Sequence, residues 1–99
     1  MSNFVSQINK ANAQELMQKI IEVCQPEVMY VEITRQDNVL VIDFYKEDCL
    51  ATMAFTDYAG MITHIFKGGE KLDYSAIYDA YIEFMEENFE NYHEGLSIN

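Results

Sequence analysis

The chain has 99 residues, of which 49% are hydrophobic and 13% aromatic, so it can build one hydrophobic core and is not a disordered acidic tail. Seventeen acidic residues against six lysines and arginines give a net charge of -11. Such a surface repels nucleic acids and anionic membranes but attracts basic proteins, and basic surfaces are common on proteins that bind nucleic acids.

The chain shows no internal repeat, linker or change of composition, which predicts a single domain over residues 1–99. Its two cysteines, Cys24 and Cys49, form no metal-binding or disulfide spacing, and we expect both to be reduced in a cytoplasmic protein. The N-terminal segment does not resemble a signal peptide, and no stretch has the length of a membrane span.

The first predicted element is a helix that begins near Asn12 and ends before Pro26. Asn12 followed by Glu15 has the form of a capping box, and a proline is poorly tolerated inside a helix. Apolar residues recur between these limits at helical spacing: Leu16, Met17, Ile20, Ile21, Val23 and Cys24.

Four strands are predicted next, because runs of β-branched and aromatic residues alternate with short polar turns. They are VMYVEITR from Val28, VLVIDFY from Val39, LATMAFTD from Leu50 and MITHIF from Met61. The turns, at residues 36–38, 46–48 and 58–60, are too short for crossovers, which predicts an antiparallel meander.

Alternation along the strands predicts which side chains share a face of the sheet. The inner face, covered by helices, should hold Met29, Val31, Ile33, Leu40, Ile42, Phe44, Met53 and Phe55. The outer face should hold Tyr30, Glu32, Thr34, Val41, Asp43, Tyr45, Thr52 and Ala54. A two-residue turn at Asp37-Asn38 places Glu32 opposite Asp43 and Tyr30 opposite Tyr45.

The outer face is therefore mixed, neither purely polar nor purely apolar. It is either a half-solvated sheet or a second interface for a partner or a second copy. The residues of this possible second interface are Tyr30, Glu32, Val41, Asp43 and Tyr45.

A second helix is predicted from about Tyr74 to Tyr92, with Asp73 as its N-cap and the segment Gly68–Lys71 as the turn that precedes it. The fold class is α+β, in the order α-β-β-β-β-α, with both helices packed on one face of a four-stranded antiparallel meander.

The second helix separates apolar residues from a row of carboxylates that fills a sector about 100° wide on a helical wheel. The row consists of Asp79, Glu83, Glu86, Glu87, Glu90 and Glu94. Between Asp73 and Glu94 there are seven acidic residues and no lysine or arginine. Like charges at these spacings each destabilise a helix by a few tenths of a kcal/mol, roughly.

If the helix is continuous, the row is about 22 Å long and its carboxylates lie about 4.5 Å apart. A DNA strand presents a phosphate about every 3.4 Å, so the two charge densities are comparable. The row is either a polyanion mimic that enters a basic groove or a solvated face with no specific partner.

No catalytic residue, metal site or cofactor is predicted. His64 and His93 lack the spacing of metal ligands, and Gly68–Lys71 lacks the spacing of a phosphate-binding loop.

In size, acidity and lack of catalytic motifs the chain is similar to phage counter-defence inhibitors and to immunity proteins that block basic nuclease sites. We therefore expect a non-enzymatic inhibitor that presents the carboxylate row to a basic surface, such as that of a nucleic-acid-binding enzyme. The alternative is a small homodimeric scaffold or chaperone-like module that associates through the outer sheet face.

Overall fold

Within the residues that the structure describes, two helices and four antiparallel strands form a single α+β domain, in the predicted order. The computed structural model describes residues 4–57, 61–90 and 92. After a short 3-10 turn, Val5–Gln7, the elements are α1 Lys10–Cys24, β1 Tyr30–Gln36, β2 Val39–Tyr45, β3 Cys49–Thr56, β4 Met61–Ile65 and α2 Tyr74–Asn88.

The sheet is a meander with the strand order β1-β2-β3-β4. A two-residue turn joins β1 to β2, and Asp37 in that turn has a positive φ of 54°. The predicted register is confirmed: Tyr30 lies opposite Tyr45 and Glu32 lies opposite Asp43. The predicted turn between β3 and β4, at residues 58–60, lies outside the described residues.

Helix α1 begins earlier than the sequence predicted. Asn9 is the N-cap: the Asn12 amide donates to Asn9 Oδ1 at 3.0 Å, and the Asn9 amide donates to Asn12 Oδ1 at 2.7 Å. The predicted box of Asn12 with Glu15 is wrong, because an asparagine at the third helical position accepts the same hydrogen bond that a glutamate would accept. The helix ends at Cys24, before Pro26 as predicted.

Both helices pack on one face of the sheet, and the core lies between the two layers. Its fully buried large side chains are Val5, Leu16, Ile20, Leu40, Ile42, Phe44, Met53, Phe55, Ile77, Phe84 and Met85. The inner-face prediction is confirmed for β2 and β3. It is wrong for Met29, which is 65% exposed because it precedes β1 and does not share its alternation.

The connection from β4 to α2 packs tightly against the start of β3. A Cβ atom on Gly69 would lie 2.0 Å from the carbonyl oxygen of Leu50, and Gly68 has a φ of 94°. The Tyr74 hydroxyl donates to the Gly69 carbonyl at 2.5 Å, and the Gly68 amide donates to Glu70 Oε1 at 3.0 Å. This segment is therefore the predicted turn, and its geometry requires glycine at both positions.

Strand β4 lies at the edge of the sheet, and none of its five residues is buried. Met61 is 37% exposed, Ile62 60%, Ile65 51%, and Phe66, just after the strand, 45%. Since Met61 and Ile65 lie on the inner face, opposite Phe55 and Ala51, the inner side of β4 extends beyond the helix layer.

Candidate functional site

Helix α2 holds its acidic side chains on the side away from the core. Asp73 caps the helix as predicted, since its Oδ1 accepts a hydrogen bond from the Ala76 amide at 3.1 Å. The core-facing residues Ile77, Tyr81, Ile82, Phe84 and Met85 are buried. The opposite side exposes four members of the predicted row: Asp79, Glu83, Glu86 and Glu87.

The helix is shorter than predicted, so the row does not extend along a helix to Glu94. Helix α2 ends at Asn88, and Phe89 has extended backbone angles. Phe89 and Tyr92 instead pack against Phe4, with ring centroids 5.9 Å and 5.3 Å away. Glu90 is exposed beyond the helix end.

Glu94 lies outside the described residues. From Asp79 to Glu87 the helical part of the row is about 12 Å long, because an α-helix rises about 1.5 Å per residue.

A lysine from the other helix neutralises part of this row. Lys19 Nζ lies 2.7 Å from Glu83 Oε1 and 3.3 Å from Glu87 Oε1. The hydrogen bond with Glu83 is the largest cause that raises the pKa of Lys19. The expectation of a purely repulsive row is therefore wrong, because α1 supplies a cation that no spacing within α2 could show.

Helix α1 also adds two acidic residues to the same surface. The Asn88 side-chain amide donates to Glu15 Oε2 at 3.2 Å, so Glu15 lies at the junction of the two helices. A groove of about 350 Å³ runs between them, and Glu22 lines it together with Asp79 and Glu83.

We name this surface the acidic helix face and define it by the carboxylates of both helices: Glu15, Glu22, Asp79, Glu83, Glu86 and Glu87. Glu15 and Glu22 were missed in the sequence because the antiparallel packing of α1 on α2, and not a pattern within either helix, brings them to this surface.

The outer sheet face brings the five residues of the possible second interface together on two neighbouring strands. Tyr30 and Tyr45 stack with centroids 4.8 Å apart and an angle of 4° between the rings, and Tyr30 is 45% exposed. Val41 is half-buried on the same face, opposite Ala54 of β3.

Asp43, which lies opposite the carboxylate of Glu32, has a hydrogen-bond donor beside it. The Thr52 hydroxyl donates to Asp43 Oδ1 at 2.6 Å. Desolvation raises the pKa of Tyr45, and the charges of Glu32 and Asp43 raise it further. Because His64 lies opposite Thr52, a polar row crosses all four strands here, and the sequence had not singled out His64 as part of it.

The cysteines occupy different environments. Cys24 is buried, and desolvation raises the pKa of its thiol to about 11, so it is protonated at neutral pH. Cys49 is half-buried, and its thiol donates to the Ala51 carbonyl at 3.4 Å. In the part of the chain that the structure describes, no three histidine, cysteine or acidic residues are grouped as metal ligands.

Comparisons with protein-family models, curated proteins and solved structures found no match. Within the described ranges neither helix is long and apolar enough to cross a membrane.

Proposed function

We propose that this chain is a non-enzymatic binding protein that presents its acidic helix face to a basic surface of another protein, as an inhibitor of a nucleic-acid-binding enzyme would do. One observation supports this proposal above the others. Two antiparallel helices expose six carboxylates on one side of the molecule, and Lys19 is the cation that lies among them. Six acids and one lysine give this face a net charge of -5, nearly half of the -11 of the chain.

The arrangement of the carboxylates also fits a groove that binds a duplex. The acids of α1 and α2 form two short rows on neighbouring helices, and the axes of packed helices lie about 8–10 Å apart. The grooves of B-DNA, which separate its two phosphate rows, are about 6 Å and 12 Å wide. This comparison supports the proposal that two short rows of carboxylates, and not the single long row expected from the sequence, enter such a groove.

Asp57, an acidic residue just beyond the end of β3, has a structural role. Its Oδ1 accepts a hydrogen bond from the Val5 amide at 3.2 Å, and the side chain is half-buried. Asp57 is therefore not part of the surface proposed for the partner.

The test is competition with nucleic acid on purified basic enzymes. A panel of DNA- and RNA-binding enzymes would be loaded with a fluorescent duplex, and displacement by this chain would be measured by fluorescence anisotropy at low and high salt. We expect displacement from at least one enzyme at low salt, with a steep loss as salt rises, because ion pairs across an exposed interface are screened.

Two double variants with the same change of net charge distinguish binding through the acidic helix face from a general effect of net charge. Asp79→Lys with Glu86→Lys reverses two exposed carboxylates of the acidic helix face. Glu47→Lys with Asp48→Lys makes the same change in the turn between β2 and β3. We expect the first pair to abolish displacement and the second to retain most of it. Equal losses would show that only net charge matters, and absence of displacement by the unmodified chain would contradict the proposal.

A second candidate is a small homodimeric scaffold that associates through the outer sheet face. The exposed stack of Tyr30 on Tyr45 favours it, because aromatic side chains are enriched at protein interfaces. In that case the unmodified chain should self-associate, with little dependence on salt. Tyr45→Glu should abolish this association, as measured by size-exclusion chromatography. If Tyr45→Glu left association unchanged, the outer sheet face would not be the interface.

A further inference from the structure

At the outer edge of β4, backbone amides and carbonyls at regular intervals form no hydrogen bonds with β3. The Phe66 amide donates to the Leu50 carbonyl at 2.9 Å, and Leu50 lies opposite Phe66 if the register of Ala51 with Ile65 is continued by one residue. At this position the backbone groups of the chain after β4 therefore point toward β3. Hydrogen-bonded and non-bonded pairs alternate along such a ladder. The amides and carbonyls of Met61, Thr63 and Ile65 therefore point away from β3, and no strand within the described residues pairs with that edge.

The side chains of β4 are suited to association because they are exposed and largely apolar. Met61, Ile62 and Ile65 are between 37% and 60% exposed. An exposed apolar edge strand is a template for pairing with another strand, and charged side chains normally protect such an edge. Here residues 61–69 contain no acidic residue, and Lys67 is their one lysine, in a chain with seventeen acids elsewhere.

We propose that a second copy of this chain binds here, with β4 pairing antiparallel to β4 of the other copy about a two-fold axis at Thr63. The residues whose backbone groups point to the open edge, Met61, Thr63 and Ile65, are spaced symmetrically about Thr63. In this register Thr63 pairs with Thr63, and Met61 of each copy pairs with Ile65 of the other, so every outward-facing backbone group of β4 finds a partner.

The proposed register also places compatible side chains opposite each other. On the inner side, Met61 packs against Ile65 of the second copy, and the two Thr63 side chains meet at the axis. Cross-strand pairs of threonines and of apolar residues stabilise antiparallel ladders. On the outer side, Ile62 lies opposite His64 of the second copy. A second copy is favoured over a strand of another protein because the sequence of β4 is complementary to itself. The pairing therefore completes the β4 edge of both copies at once.

The charge of the chain favours contact between the two copies at β4 and determines how the affinity of the dimer depends on salt concentration. Two chains of net charge -11 repel each other at long range, and the acid-free segment 61–69 is where they approach with least repulsion. Backbone hydrogen bonds and apolar contacts depend little on salt, whereas the repulsion is screened by it. The dimer should therefore become tighter as salt rises. Binding of a basic partner to the acidic helix face should become weaker, so either proposal can fail without the other.

Sedimentation equilibrium at increasing salt tests the dimer, and two lysine substitutions locate it. Ile65→Lys places a charge at the proposed seam, while Met29→Lys makes the same change at another exposed apolar residue, next to β1. We expect the unmodified chain to dimerise with an affinity that rises with salt. Ile65→Lys should weaken dimerisation by about tenfold or more, which corresponds to about 1.4 kcal/mol, and Met29→Lys should leave it unchanged.

Two substitutions at Thr63 test the register. Thr63→Pro removes an amide that points to the open edge and leaves the ladder with β3 intact, so the variant should be folded and monomeric. Thr63→Cys should form an intermolecular disulfide with oxidised glutathione, because Cα atoms in such a pair lie about 5.5 Å apart. Met29→Cys is its control and should not cross-link above the level of the unmodified chain.

The proposal is overturned if the unmodified chain is monomeric at every salt concentration. It is also overturned if Ile65→Lys and Met29→Lys dimerise equally well, or if Thr63→Cys cross-links no better than Met29→Cys. Loss of dimer in Tyr45→Glu with a normal dimer in Ile65→Lys would place the interface on the outer sheet face instead. If Thr63→Pro does not fold, the cross-linking experiment decides the register.

Discussion

Strands β3 and β4 are neighbours in one sheet, are similarly apolar in sequence, and differ sharply in burial. In β3 the residues Leu50, Ala51, Met53 and Phe55 are buried, and in β4 no residue is. The helix layer causes the difference: Tyr81 of α2 stacks on Phe55 with centroids 4.0 Å apart, whereas the inner side of β4 extends beyond the layer. Strand propensity therefore places both strands in the sheet, but coverage by helices decides which of them belongs to the core.

The largest expected effect comes from the same substitution made in the two strands. Met53 is fully buried and Met61 is 37% exposed on the same face. Met53→Ala should lower the free energy of unfolding by about 2–5 kcal/mol, because it leaves a cavity in the core. Met61→Ala should change it by less than about 1 kcal/mol in the monomer.

Urea unfolding at a protein concentration low enough to keep the chain monomeric measures both values. Similar losses in the two variants would show that β4 is as much a part of the core as β3.

An intermediate effect is expected where the chain leaving β4 returns to β3. Gly69→Ala would place a Cβ atom 2.0 Å from the Leu50 carbonyl oxygen, so the backbone must shift. We expect a loss of about 1–3 kcal/mol, comparable to overpacking in a core. Gly68→Ala is the comparison: its Cβ atom would meet only the end of the Leu50 side chain at 3.1 Å, although its φ of 94° is unfavourable. A smaller loss for Gly69→Ala than for Gly68→Ala in thermal unfolding would contradict the close approach.

The smallest effect concerns Asp57, just beyond the end of β3, and it depends on pH. Desolvation raises the pKa of Asp57 above its usual 3.8, although hydrogen bonds from the Val5 and Phe4 amides lower it. Among the described residues, Asp57 Oδ2 is a buried oxygen without a hydrogen-bond partner. The folded state therefore binds a proton more readily than the unfolded state, and stability falls as pH rises from 3.8 through the raised pKa.

Asp57→Asn removes this ionisation and keeps an oxygen to accept the Val5 amide. It should increase the free energy of unfolding at pH 7 by less than about 1 kcal/mol, since the side chain still contacts water. The gain should disappear below the unfolded pKa of 3.8. A gain that persisted in acid would mean that the charge of Asp57 is not its cause.

Local signals in the sequence were enough to predict the sheet. The turn at Asp37-Asn38 fixed the pairing of Glu32 with Asp43, and Asp73 marked the start of α2, because both effects act over a few residues. The end of α2 was wrong, since Phe89 and Tyr92 continue the helical spacing of apolar residues. Their rings instead contact Phe4 at the other end of the chain, and no local pattern reveals such a contact.

The candidate site was predictable only in part for a similar reason. The exposed acids of α2 followed from its periodicity. The neutralisation of Glu83 and Glu87 by Lys19, and the addition of Glu15 and Glu22, depend on how α1 packs against α2. The exposure of β4 was equally hidden, because alternation describes the two sides of a strand but not the width of the layer that covers one of them.

Because the two cysteines differ in exposure, alkylation of the buried one can report on opening of the folded state. An alkylating reagent reacts with thiolates in contact with water, so Cys49, which is half-buried, is open to modification in the native state. Cys24, the last residue of α1, is buried in the core and becomes reactive only when the C-terminal turn of that helix opens. The rate at which Cys24 is alkylated, measured after Cys49 has been blocked, thus gives the free energy of that local opening under native conditions.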